Sequence, residues 1–89
     1  MFKEDILLGK TAYISGGTSG INLGIALSLA RHGANIAIIG RDLEKAERAA
    51  DTIRSAAPTV KVLCFSADVR DYDAIEDTMK QTSEQLGPV

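Results

Sequence analysis

The stretch Ser15 to Gly24, SGGTSGINLG, places four glycines in ten residues between two apolar runs. The run before it, Thr11-Ala12-Tyr13-Ile14, is short and contains a β-branched and an aromatic residue, which predicts a strand. The run after it, Leu23 to Ala30, is long enough to predict a helix. A glycine-rich turn between a strand and a helix lets the backbone pass close to a phosphate group. The helix then offers that phosphate its unpaired N–H groups and the positive end of its dipole. This context, rather than the glycines alone, points to dinucleotide binding.

Outward from this stretch the chain alternates. The helix is expected from about Gly20 to His32, with Gly33 as its stop signal. Ile21, Leu23, Ile25, Ala26, Leu27, Leu29 and Ala30 surround it almost completely, which predicts a buried helix. Ile36 to Ile39 is a continuous β-branched run, the pattern of a strand covered on both faces. Asp42 is a candidate N-cap for a second helix with apolar residues at Leu43, Ala46, Ala50 and Ile53. Val60, Val62, Leu63, Cys64 and Phe65 predict a third strand. A last helix, capped by Asp71 and ended by Gly87-Pro88, places Ile75, Met79, Thr82 and Leu86 on one face. Met1 to Lys10 reads as a lead-in whose Ile6, Leu7 and Leu8 can pack.

The order βαβαβα implies parallel strands with right-handed crossovers. The fold class is therefore α/β: half of a Rossmann-like three-layer sandwich, with strand order 3-2-1. In this order the first two helices cover one face and the last helix starts across the other. The outer edge of Thr11–Ser15 is then left open, and an open edge recruits further strands. The expected partner is the rest of a longer chain or a second copy.

Composition narrows the function. The 89 residues are 45% hydrophobic and carry a net charge of −2. Lys and Arg are scattered, which argues against a nucleic-acid patch or a polybasic membrane surface. The single cysteine excludes an internal disulfide. Charges at Lys3, Glu4 and Asp5 interrupt the place where a signal peptide needs apolar residues. The expected compartment is the cytoplasm or a reducing organelle matrix. Cys64, in a predicted strand, reads as a small apolar residue. His32 stands at a helix end, where an imidazole suits the dipole. A lone histidine without clustered acids or cysteines is not a metal site.

Three motifs stand at strand ends. Ser15-Gly16-Gly17-Thr18-Ser19-Gly20-Ile21 follows the first strand, Arg41 the second and Asp68-Val69 the third. Together they are similar to the short-chain dehydrogenase/reductase family, over nearly the whole chain. The resemblance implies that Gly16, Thr18, Ser19, Gly20, Ile21 and Asn22 border the cofactor. Asp68 would accept a hydrogen bond from the adenine amino group or from a nearby backbone donor, and Val69 would flank the ring. The alternative for Asp68 is a loop acid capping the last helix.

The chain departs from the family pattern at two positions. Ser15 stands for a threonine, and Asn22 for the third glycine of Gly-x-x-x-Gly-x-Gly. Asparagine tolerates unusual backbone angles better than most residues, so the turn remains possible. Its side chain can crowd the cofactor or bond to it. The pattern is also partly similar to a divergent enoyl-reductase branch, so the branch stays open.

Arg41 bears on the cofactor. An NAD site usually carries an acid at the end of the second strand for the ribose 2′-hydroxyl. A guanidinium there suits a 2′-phosphate, so NADP(H) is expected, with Thr18 adding a hydroxyl by family analogy. The alternative is NAD(H), with Arg41 a solvated charge and Asp42 receiving the ribose.

The family's catalytic Tyr-x-x-x-Lys is absent: neither Tyr13 nor Tyr72 begins one. The resemblance places the catalytic Ser, Tyr and Lys in later sequence. Residues 1–89 are therefore expected to be the N-terminal part of one NAD(P)-binding domain, a cofactor half-site in a parent that reduces a carbonyl or an enoyl group. Arg31-His32-Gly33 and Asp68-Val69-Arg70 resemble the 2,4-dienoyl-CoA reductases within the family. A different class of function is a non-catalytic nucleotide-binding or assembly module using the half fold alone.

Overall fold

The computed structural model describes residues 9–16, 20–68 and 70–87. Six elements alternate: β1 (Thr11–Ser15), α1 (Gly20–Arg31), β2 (Asn35–Gly40), α2 (Leu43–Ala56), β3 (Val62–Ser66) and α3 (Tyr72–Leu86). The strands form one parallel sheet in the order β1-β2-β3, the 3-2-1 order expected. The lead-in residues Ile6, Leu7 and Leu8 lie outside the described residues.

Strand alternation sorts the side chains between two faces. Ala12, Ile14, Ile36, Ile38, Val62 and Cys64 share one face through the register Ala12↔Ile36↔Val62 and Ile14↔Ile38↔Cys64. They pack with Ala26 and Ala30 of α1 and with Ala49, Ala50 and Ile53 of α2. Tyr13, Ala37, Leu63, Ile39 and Phe65 fall on the other face, which α3 crosses. The three layers are therefore α1 and α2, the sheet, and α3. All four residues from Ile36 to Ile39 are fully buried, as expected for the strand covered on both faces.

Two side-chain bonds attach α3 to β1. Thr11 Oγ1 donates to the Leu86 carbonyl at 3.0 Å. Tyr13 Oη and Thr78 Oγ1 lie 2.7 Å apart. Thr78 has one hydroxyl proton and gives it to the Ile75 carbonyl, so Tyr13 is the donor of this pair.

The helix faces differ from expectation at three places. α3 buries Thr78, Thr82 and Leu86, and Met79 is exposed. The Tyr13 hydroxyl draws Thr78 inward, and Thr82 satisfies its own hydroxyl on the Thr78 carbonyl. On α2, Ala49 joins the core while Leu43, in the first turn beyond the end of β2, stays exposed. α1 is not buried all round: only Ala26 and Ala30 are, and Ile21 is 82% exposed and Ile25 47%. Three strands with β1 at the edge give this helix one flank to cover. Cys64, on the opposite edge strand, is half-buried rather than enclosed.

Candidate functional site

All three strands end on the same side of the sheet, as parallel strands must. Gly16 extends β1 by one rung, its N–H donating to the Ile39 carbonyl at 2.7 Å. Its φ of +71° belongs to the left-handed region, where a residue with a Cβ pays a penalty. Gly20, at +63°, repeats this at the start of α1. The chain therefore leaves the strand and enters the helix through two positions that favour glycine.

Asn22 occupies the third-glycine position without needing glycine's freedom, for no described residue other than glycine has positive φ. It lies within α1, and its Nδ2 donates to the Ser15 carbonyl at 3.3 Å. The side chain folds back onto the end of β1. Thr18, Ser19 and Val69, named above as candidate cofactor contacts, lie outside the described residues.

The ends of β2 and β3 are bonded together beside this turn. The Ala67 N–H donates to the Gly40 carbonyl at 2.9 Å, and Ser66 Oγ donates to the Arg41 carbonyl at 3.0 Å. Ser15, Gly16, Ile39, Gly40, Arg41, Asp42, Lys45 and Ala67 line a cleft of about 400 Å³. Gly16 and Arg41 thus share one cleft. Gly20 and Ile21 stand at the start of α1, and neither lines it. A larger hollow of about 690 Å³, lined by residues such as Arg54, Lys61 and Gln85, lies at the opposite end of the sheet. It holds none of the strand-end motifs.

The electrostatics centre on Asp68. Arg70 grips its carboxylate side-on, with Nε to Oδ1 at 3.2 Å and Nη2 to Oδ2 at 2.9 Å, and its backbone N–H also reaches Oδ1 at 2.9 Å. Arg41 Nη2 adds one bond to Oδ2 at 3.1 Å. The Arg70 fork and N–H, then Arg41, hold the Asp68 carboxyl well below the usual carboxylate range. In return Asp68 raises the basicity of Arg70. The remaining N–H groups of the Arg41 guanidinium bond to nothing among the described residues, and its side chain is 67% exposed.

Asp71 Oδ1 accepts from the Ala74 N–H and caps α3, so Asp68 is not the cap. Asp42 Oδ1 accepts from the N–H groups of Glu44 and Lys45 and caps α2. Cys64 stands away from the cleft, and burial pushes its thiol up. His32 Nδ1 lies 2.7 Å from the Ser28 carbonyl at the end of α1.

Two cations escaped the sequence reading. Lys45 falls on the wet side of a helix pattern, yet it lines the cleft because it sits in the first turn of α2, just after Arg41 and the cap Asp42. Arg70 stands two residues past Asp68, the spacing at which an aspartate accepts from a backbone N–H in a turn. That spacing was the available signal.

The short chain dehydrogenase family profile matches residues 10–89. The chain is 41% identical over 86 residues to a 3-dehydrosphinganine reductase of Danio rerio, covering 93% of this chain and 26% of that protein. It is 36% identical over 89 residues to a peroxisomal 2,4-dienoyl-CoA reductase of Mus musculus, covering all of this chain and 30% of that one. The structure superposes on L-sorbose reductase from Gluconobacter frateurii, solved with NADPH and L-sorbose, with a TM-score of 0.86. Sequence identity there is 28%, over 96% of this chain and 32% of that one. The chain thus spans about a quarter to a third of the length of the proteins it matches.

Proposed function

The chain belongs to the short-chain dehydrogenase family, and from that premise we propose that its strand-end cleft is the NADP(H)-binding part of an oxidoreductase. The observation that carries this reading is the exposed Arg41 guanidinium at the end of β2, sharing a cleft with the Gly16 turn. An extended dinucleotide fits a site of this form. The positive-φ turn at Gly16 keeps side chains away from a pyrophosphate, and the N-terminus of the following helix would offer it unpaired N–H groups. The free side of the Arg41 fork, with Lys45 beside it, suits a 2′-phosphate dianion. Asp42, which could have received a ribose hydroxyl, already holds two N–H groups of α2 through Oδ1. The L-sorbose reductase neighbour, which was solved with NADPH, supports the same choice.

When bound, NADPH supplies a hydride to an acceptor carbon. The residues of this chain bind and orient the nucleotide half. Thr18, Ser19, Gly20, Ile21, Asn22 and Val69 complete the proposed set by their places in the motifs. Residues 1–89 form, in this reading, the N-terminal part of one cofactor-binding domain. Its open β1 edge takes up a further strand, from the rest of the full chain or from a second copy. The acceptor is a carbonyl or an enoyl group, since the relatives are named for both a 3-dehydrosphinganine and a 2,4-dienoyl-CoA. Among the described residues no helix is long and apolar enough to cross a membrane; the proposed compartment is the cytoplasm or an organelle matrix.

The test is Arg41→Ala in the full chain, with kcat/KM measured for NADPH and NADH. Removing a charge-assisted contact should cost about 1.5–3 kcal/mol in water-poor surroundings, and less at an exposed site. The loss should fall on NADPH. Equal losses with both cofactors would overturn the assignment.

A further inference from the structure

We propose that Arg70 is a positioning residue for cofactor choice: it occupies Asp68 so that Arg41 remains available to a 2′-phosphate. This rests on the NADP(H) reading of the cleft and adds to it a residue outside the cleft lining. The geometry carries it. Asp68 is the acid that faces Arg41, and alone the two would form a two-point pair that closes the guanidinium fork. Arg70 already holds that two-point position on both carboxylate oxygens, and its backbone N–H fixes the orientation. Arg41 is left with one bond, to an oxygen it shares with Arg70.

The charges agree with the geometry. One carboxylate between two guanidinium groups leaves a net positive cluster beside the cleft. Without Arg70 the Arg41–Asp68 pair would be neutral, and a dianionic phosphate would have to displace an acid to reach Arg41. With Arg70 in place the acid is engaged elsewhere. Arg70 itself does not line the cleft, and its side chain is 76% exposed, so its effect on cofactor choice passes through Asp68.

The experiment measures NADPH and NADH dissociation constants by fluorescence titration of the full chain, because the two ligands differ only in the 2′-phosphate. Arg70→Gln should lower the preference for NADPH by roughly threefold to fivefold, the scale of one exposed ion-pair rearrangement. NADH affinity should change little. Adding Asp68→Asn to Arg70→Gln removes the competing acid and should restore the preference, whatever it does to adenine affinity common to both ligands. An unchanged preference in Arg70→Gln, or no restoration in the double variant, would overturn the proposal. Arg41→Ala run alongside separates the two readings. If it abolishes the preference while Arg70→Gln does nothing, the NADP(H) site stands and the role of Arg70 falls. If Arg41→Ala leaves the preference intact, the underlying reading falls first.

Discussion

Replacing Gly16 by alanine tests whether the turn at the end of β1 is held by backbone conformation or by side-chain packing. Gly16 has φ +71°, and a Cβ there would stand 3.3 Å from Asn22 Nδ2. The first effect costs about 1–2 kcal/mol for an L-residue in left-handed geometry. Restricting the unfolded chain returns about 0.4–1 kcal/mol. The second effect is smaller. The Asn22 amide is the far end of a flexible side chain whose one bond among the described residues is a long, exposed one at 3.3 Å, so it can move by a few tenths of an ångström. Backbone conformation should win, with a net loss near 1 kcal/mol. Urea unfolding of the full chain would measure it, with Asn22→Ala and the double variant completing a cycle. Asn22→Ala alone should cost no more than about 0.5 kcal/mol, the low end for one hydrogen bond. The double variant should keep nearly the whole loss of Gly16→Ala. Recovery in the double variant would show that the contact governs the turn and that this reasoning is wrong.

The state of Asp68 gives a pH prediction. Its folded carboxyl binds protons less readily than in the unfolded chain, so its contribution is present above the unfolded value, near pH 4, and fades as pH falls below it. Stability should be flat in this respect from pH 8 to 5, and Asp68→Asn should flatten part of the acid limb below that; an unchanged limb would contradict the pairing. The β1 edge gives another. Gly16 N–H faces β2, so by alternation Ala12 and Ile14 also face it and Tyr13 and Ser15 face outward. Hydrogen exchange in the full chain should protect the Tyr13 amide as well as that of Ala12. A fast Tyr13 amide there would show that nothing pairs with this edge.

The parts of the fold legible in the sequence were those where local pattern and global packing ask for the same residues. Ile36 to Ile39 had to be a strand enclosed on both sides, because four consecutive apolar residues cannot all be buried in a sheet with one wet face. Asp42 and Asp71 announced their helices, since a cap is satisfied within its own turn. The faces of the helices were less legible. Helical spacing alone does not distinguish Thr78 from Met79 as the inward residue. That choice is made by Tyr13, sixty-five residues away in sequence, whose hydroxyl needs an acceptor on the sheet face crossed by α3. A polar residue went inside because a polar partner was already there.

The candidate site shows the same division. Gly16, Gly20 and Arg41 could be placed from the chain alone, because a strand-to-helix turn and the residue after a strand have local signatures. Asn22 could not, because its role depends on where its amide points. From the sequence its side chain can crowd the cofactor or bond to it; in the structure it ties α1 back to Ser15. Asp68, which the motif marks as an acceptor for the adenine amino group or a backbone donor, also pairs with two arginines that the motif does not announce. One of them, Arg41, comes from the preceding strand end and is brought near by the β2–β3 register Gly40↔Ser66. Charge placement across a sheet is a property of register, and register is set by the buried isoleucines rather than by the charged residues themselves. The electrostatic character of this cleft is therefore decided by its core: a slip of one residue between β2 and β3 would part Arg41 from Asp68 while leaving every motif in the sequence intact.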